Sequence, residues 1–161
     1  MNWAEARIQQ YLWEFSDGLV EDSEELVDDT GIYKSGGLSV SQIHNLLQTA
    51  RQAKSIDRIR YFIDEAVKRS FPKEPGRVTN AEGKGWKFGW SKDSSGERGT
   101  FFSDELKKRL KELEHYAEAG AAGIGDDYSK EMGIAMARRF LTYMSWYVSW
   151  KRMKLRESEG G

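Results

Sequence analysis

The chain has 161 residues and a net charge of −1, with 39% of its residues hydrophobic and 32% charged. Its 6 Trp, 7 Tyr and 7 Phe supply enough aromatic bulk for a packed core, which excludes a wholly disordered chain. It contains no cysteine, which excludes disulfides, thiolate metal sites, iron–sulfur clusters and a cysteine nucleophile.

The near-neutral total hides an asymmetry. Residues 1–33 hold one basic residue, Arg7, against nine acidic ones, a balance of −8, while residues 34–161 hold 24 basic against 17 acidic, a balance of +7. A basic working face beside an acidic arm is the expected arrangement, and such a distribution speaks to partners rather than to fold. The start MNWAEARIQQYLWEF carries Glu5 and Arg7 among its apolar residues, unlike a secretory leader, so a cytoplasmic protein is expected.

The first predicted helix runs from an Asn2 cap to about Phe15, with Trp3, Ile8, Leu12 and Phe15 on one face and Gly18 as a stop. The stretch from Glu21 to Asp29, EDSEELVDD, places six carboxylates in nine residues without the alternation of a calcium loop. A solvated segment or short exposed helix is expected there, making residues 16–37 an acidic arm and linker that ends in GIYKSGG.

Ser39 with Gln42 forms a capping-box pattern, and Ile43, Leu46, Leu47, Ala50, Ala53, Ile56, Ile59, Ile63, Ala66 and Val67 keep helical period to about Lys68. Ser55 is a second candidate cap that would split this stretch into two helices. Pro72 and Pro75 lie just past it and block its continuation. The Gly-rich stretch that follows contains Trp86, Phe88 and Trp90 in alternation, so residues 71–102 are expected as an inserted loop or short β-hairpin. Ser103 then caps a helix striped by Leu106, Leu110, Leu113 and Ala117, which ends near AGAAGIGDD.

Asp126 or Asp127 caps the last helix, from about Tyr128 to Arg156, whose apolar residues cover nearly its whole circumference. The pairs Arg138–Arg139 and Lys151–Arg152 bracket only eleven residues, about 16 Å of helix against a hydrocarbon core of about 30 Å. That argues against a membrane span here and points to a central bundle helix, or to one that also packs against another subunit.

Catalytic chemistry finds little footing. His44 and His115 fall on different predicted helices, with no metal-ligand spacing around either. Gly120, Gly123 and Gly125 form a GxxGxG that follows a helix rather than a strand, and so read as a connection rather than a phosphate loop. No catalytic residue, metal site or cofactor is assigned, and the chain is not expected to be an enzyme.

Basic residues carry the stronger signal. On a continuous 39–68 helix, His44, Gln48, Arg51, Lys54 and Arg58 would share one face. The last helix adds Arg138, Arg139, Lys151, Arg152, Lys154 and Arg156, with no acid between Glu131 and Glu157. Arg51, Lys54, Arg58, Arg138, Arg139, Lys151 and Arg152 are the candidate nucleic-acid contacts, as clamps on phosphate. Lys84, Trp86, Lys87, Phe88, Trp90 and Lys92 interleave cations and rings like a stacking platform, although cover for a hydrophobic edge is the favoured role for Trp86 and Trp90.

The stretch Gly37-Leu38-Ser39-Val40-Ser41-Gln42-Ile43-His44-Asn45-Leu46-Leu47 resembles the opening of the major helix in the small subunit of type III-A CRISPR–Cas effector complexes. Arg139-Phe140-Leu141-Thr142-Tyr143-Met144, with Trp146-Tyr147 through Lys151, is similar to that family's aromatic C-terminal helix, and Tyr116-Ala117-Glu118-Ala119-Gly120 is a fainter match. His44 stands where the family usually has Arg, and Ala121 where an Arg follows Gly. The resemblance implies a small, non-catalytic all-α protein of antiviral defence. Several copies would line the guide–target RNA duplex beside other effector subunits, holding phosphate without reading bases.

The expectation is thus one all-α domain over residues 1–161, a bundle of about five helices with an insertion at about 76–102. Its expected partners are RNA, other CRISPR effector subunits and further copies of itself, with no membrane. Two other readings stand beside it. One is a helical adaptor that self-associates through Trp146–Trp150. The other is a helix–turn–helix DNA regulator, which needs a real break near Ser55 and a preference for duplex DNA.

Overall fold

A computed structural model describes residues 2–69, 85–87 and 102–160. Among these, all regular structure is helical: α1 (Trp3–Glu14), α2 (Ser16–Thr30), α3 (Val40–Gln52), α4 (Ile56–Arg69), α5 (Phe102–Ala121) and α6 (Ser129–Gly160), with short 3₁₀ turns at Gly85–Lys87 and Asp126–Tyr128. The protein is an all-α bundle. The expected hairpin falls almost entirely on residues outside the described ones.

Local chemistry sets the helix ends. The Asn2 side chain accepts the Glu5 N–H at 2.8 Å while Glu5 accepts the Asn2 N–H at 3.3 Å. Ser39 and Gln42 repeat the box at α3, at 3.1 and 2.9 Å. Both relieve amide groups that the first helical turn leaves without partners. α2 closes on Gly31, whose φ of 68° lets its N–H bond the Val27 carbonyl at 2.8 Å, a left-handed cap that favours glycine. α5 begins at Phe102, and Ser103 is buried in its first turn instead of standing before it as a cap. α6 begins only at Ser129, after the 3₁₀ turn, and runs on to Gly160.

α6 organises the bundle and packs against each of the other five helices. Met132, Met136, Ala137, Phe140, Leu141, Met144 and Val148 make its buried face, which meets Leu19 and Leu26 of α2, Leu46 of α3, Ile59 of α4 and Leu106, Leu110 and Leu113 of α5 in one core. α4 and α5 run antiparallel, since Arg60 meets Glu114 at one end and Asp64 meets Lys107 at the other. Gly120 allows the closest packing at the base. A Cβ there would lie 2.6 Å from the Met132 sulfur and 2.7 Å from the Tyr11 ring.

The acidic stretch is not a solvated arm. It is most of a fifteen-residue helix whose Leu19, Ser23, Leu26, Val27 and Thr30 are buried, chiefly against α6. Its carboxylates face cations supplied from far along the chain. Arg109 lies 3.0 Å from Glu25 and 3.6 Å from Asp22. Burial works to lower the Arg109 pKa, but the bond to Glu25 and the charges of Glu25, Asp22 and Glu112 outweigh it and raise it. Gly18, read as a stop, lies inside α2.

The 39–68 stretch divides at Ala53–Ser55, so the described residues form six α-helices where about five were expected. Ala53 takes an extended conformation (φ −70°, ψ 143°), which no helix continues through. Trp86 is 3% exposed and packs between Phe62 and Phe102, with ring centroids 6.1 Å from each. It is a core residue and so leaves the suggested stacking platform. Lys84, Phe88, Trp90 and Lys92 lie outside the described residues. No helix among the described residues is long and apolar enough to cross a membrane.

Candidate nucleic-acid interface

The seven candidate contacts separate into two groups once their surroundings are known. Arg138 is half-buried, and its guanidinium donates to the carbonyls of Ala50 at 2.8 Å, Arg51 at 3.1 Å and Ala53 at 2.9 Å. Those are the carbonyls left unpaired at the end of α3, and a cation there also meets the negative end of the helix dipole. Arg152 does the same for the loop before α3, donating to the carbonyls of Ile32 and Tyr33, each at 3.2 Å, and of Leu38. Burial, with the neighbouring Arg156 charge, lowers the Arg152 pKa. These two arginines hold backbone, and their donors are committed within the fold.

Because Arg138 holds the end of α3 and Arg152 the loop before its start, α3 and α6 run antiparallel. Lys151 lies 3.2 Å from Asp28 and 4.9 Å above the Tyr33 ring, tied to α2 and its loop. Arg139 makes one long bond, 3.4 Å to Gln9 of α1. Of the basic residues of the last helix, Arg138, Lys151 and Arg152 are thus tied within the fold, while Lys154 and Arg156 are exposed.

Arg51, Lys54 and Arg58 are different. All three are exposed, and none has an ion-pair or hydrogen-bond partner for its side chain among the described residues. The break at Ala53–Ser55 puts Arg51 at the end of α3, Lys54 in the turn and Arg58 in the first turn of α4. They therefore cluster around a helical elbow, rather than lining one face of a continuous helix as expected with His44 and Gln48.

Beside the elbow lies an open groove of about 550 Å³, lined by Thr49, Gln52, Arg58, Tyr61, Phe62, Glu65 and Arg69 among others. Tyr61 is 59% exposed, and Arg69 is exposed without a partner among the described residues. The one acid in the groove, Glu65, has Lys68 3.3 Å away. Tyr61 was not singled out in the sequence, and Arg69, with Arg60 and Lys68, counted there only as charge nearby, although Arg58, Tyr61, Glu65 and Arg69 recur at separations of 3, 4 and 4 and so share a face of α4.

His44 is exposed on α3 and His115 on α5, where its Nδ1 lies 3.9 Å from Glu118. Among the described residues no group of three His, Asp or Glu side chains could hold a metal ion. The glycines at 120, 123 and 125 form the end of α5 and the turn to the next 3₁₀ helix, with Gly125 at φ 151°. No protein-family model matches the chain, and neither a curated protein nor a solved structure does.

Proposed function

We propose that this chain is a non-catalytic, cytoplasmic RNA-binding subunit of a ribonucleoprotein, of the kind its resemblance to the type III CRISPR small subunit implies. In this reading the α3–α4 elbow grips phosphate along a guide–target RNA duplex. The supporting observation is four exposed cations with no partners among the described residues: Arg51 and Lys54 at the elbow, and Arg58 and Arg69 lining the groove beside it. Guanidinium and ammonium groups left unpaired on a surface attract a polyanion without regard to its sequence. Arg138 and Arg152 have no phosphate role here, and Lys151 only a minor one.

The test is binding of labelled RNA duplex, single-stranded RNA and DNA duplex across a salt series, with the wild type and an Arg51→Glu/Arg58→Glu variant. RNA affinity that falls steeply with salt and is lost in the variant supports the reading. A folded variant that binds as the wild type does overturns it.

The three-residue break at Ala53–Ser55 favours a second reading, because α3, a short turn and α4 have the layout of a helix–turn–helix. Asp57 and Asp64 are exposed on α4, the helix that would enter the groove, and would oppose phosphates there. Tighter binding to duplex DNA than to either RNA would select this reading.

A further inference from the structure

Most of α6 up to Arg152 has its partners within the chain. Phe140, Met144 and Val148 enter the core, Tyr147 and Lys151 meet α2, and Arg138 and Arg152 hold the ends of the α3 segment. The remaining face carries Arg139, Tyr143, Trp146, Trp150, Met153 and Glu157, at separations of 4, 3, 4, 3 and 4. That is the alternation of a two-helix seam. Trp146 is 66% exposed, Trp150 47% and Met153 43%, a large apolar stripe for one helix to leave in water. The Tyr143 and Trp146 rings touch, with centroids 5.8 Å apart, and Trp150 stacks on Tyr147, also at 5.8 Å.

The stripe is self-complementary in one direction only. A second α6 laid antiparallel, with the two-fold axis level with Val148, sets Trp146 against Trp150, Tyr143 against Met153 and Arg139 against Glu157, each twice. The flanking positions then oppose Thr142 to Arg156 and Ser149 to itself, with no like charges facing. A parallel pair would instead set Arg139 on Arg139 and Glu157 on Glu157. Both end groups are free to re-pair. Arg139 holds only the 3.4 Å bond to Gln9, and Glu157 an exposed pair with Lys154 at 3.5 Å, a kind of contact that stabilises little. We propose that two copies of the chain associate through this stripe as an antiparallel α6–α6 pair. An isologous contact of this kind closes on itself and leaves both α3–α4 elbows free.

The experiment is sedimentation velocity on the full chain over a range of concentrations without RNA, so its outcome is independent of the RNA reading. The wild type should dimerise. Arg139→Glu and Glu157→Arg should each weaken the dimer about tenfold, because each turns two attractions into two repulsions. The double variant R139E/E157R should return to within about threefold of wild type, since the pairing is restored only between chains. Within one chain the two residues lie about 27 Å apart along the helix at 1.5 Å per residue. Trp146→Ala should weaken association at least about thirtyfold, as buried interface tryptophans do, with unchanged helicity because the side chain is exposed. A wild type that is monomeric at every concentration overturns the proposal and hands the stripe to another partner. A dimer indifferent to the single reversals, or one not restored in the double variant, overturns it as well.

Discussion

The Tyr147 hydroxyl points into the fork of the Asp28 carboxylate, 3.0 and 2.9 Å from its two oxygens, and so ties the middle of α6 to the last turn of α2 across 119 residues. Lys151, one turn further along α6, lies 3.2 Å from the same carboxylate. One acid thus holds a phenol and an ammonium group. It fixes how the acidic helix sits on the aromatic one.

This pairing has an alkaline limit. Burial, then the hydrogen bond and charge of Asp28, push the Tyr147 hydroxyl from 10.0 up to about 12. A group whose pKa is raised by folding stabilises the protein fully below its unfolded value and loses that contribution as pH rises through the folded value. The gap in melting temperature between wild type and Tyr147→Phe should therefore be steady from about pH 7 to about pH 9. It should close between about pH 10 and pH 12. Circular dichroism melts across that range check it, and a gap that persists at the alkaline end would count against the bond.

Arg138 should matter for stability and little for RNA. Its three bonds satisfy carbonyls at the end of α3 that nothing else among the described residues reaches. Arg138→Met keeps the aliphatic stem but strands those acceptors, at an expected cost of about 2–4 kcal/mol. Urea unfolding measures that loss. RNA affinity measured where the variant is still folded should be within about twofold of wild type, because a capping guanidinium contributes no phosphate contact.

The contrast between Arg138 and Arg58 shows what a sequence reading carries. Helix periods, the Asn2 cap and the Ser39–Gln42 box were legible because each is decided within a few residues. The role of Arg138 was not, since the carbonyls it satisfies lie 85 to 88 residues away. α2 was hidden for a related reason. Seven acids dominate its composition, and two of its five buried positions are Ser23 and Thr30. Their hydroxyls donate to the Val20 and Leu26 carbonyls, at 2.8 and 2.7 Å, and so both side chains enter the core with their own donors satisfied. Hydropathy does not register a serine that bonds its own helix. The elbow was half legible. Ser55 marked a break, while the groove needed both helices in place to bring Thr49 and Gln52 beside Arg58.

Gly37 is where the loop before α3 tolerates no side chain. A Cβ there would fall on the backbone of Ile32, whose carbonyl Arg152 also holds. Backbone cannot swing aside as a side-chain end can, so Gly37→Ala must displace the loop and disturb the Arg152 bonds. The expected loss is about 3 kcal/mol, at the upper end of the usual range for overpacking. Thermal or urea unfolding gives the value. Gly123→Ala is the control, since its nearest neighbour to a new Cβ is a backbone oxygen 4.0 Å away, and it should cost about 1 kcal/mol or less.

Salt dependence separates the cations that grip phosphate from those that hold the fold. Each phosphate neutralised on a duplex contributes about 0.9 to the slope of log affinity against log salt, and about 0.7 on a single strand. Arg51→Gln/Arg58→Gln removes two of the three exposed elbow cations without adding an acid. Its slope should be shallower than wild type by about 1.8 for duplex and about 1.4 for single-stranded RNA. Arg152→Gln, by contrast, removes donors already given to Ile32, Tyr33 and Leu38, so it should lower stability and leave the slope unchanged. Fluorescence anisotropy at four or five salt concentrations resolves a change of that size. An equal fall in both variants would mean that general positive charge, and not the elbow, draws the RNA. No change in either would remove the phosphate contacts from the α3–α4 elbow altogether.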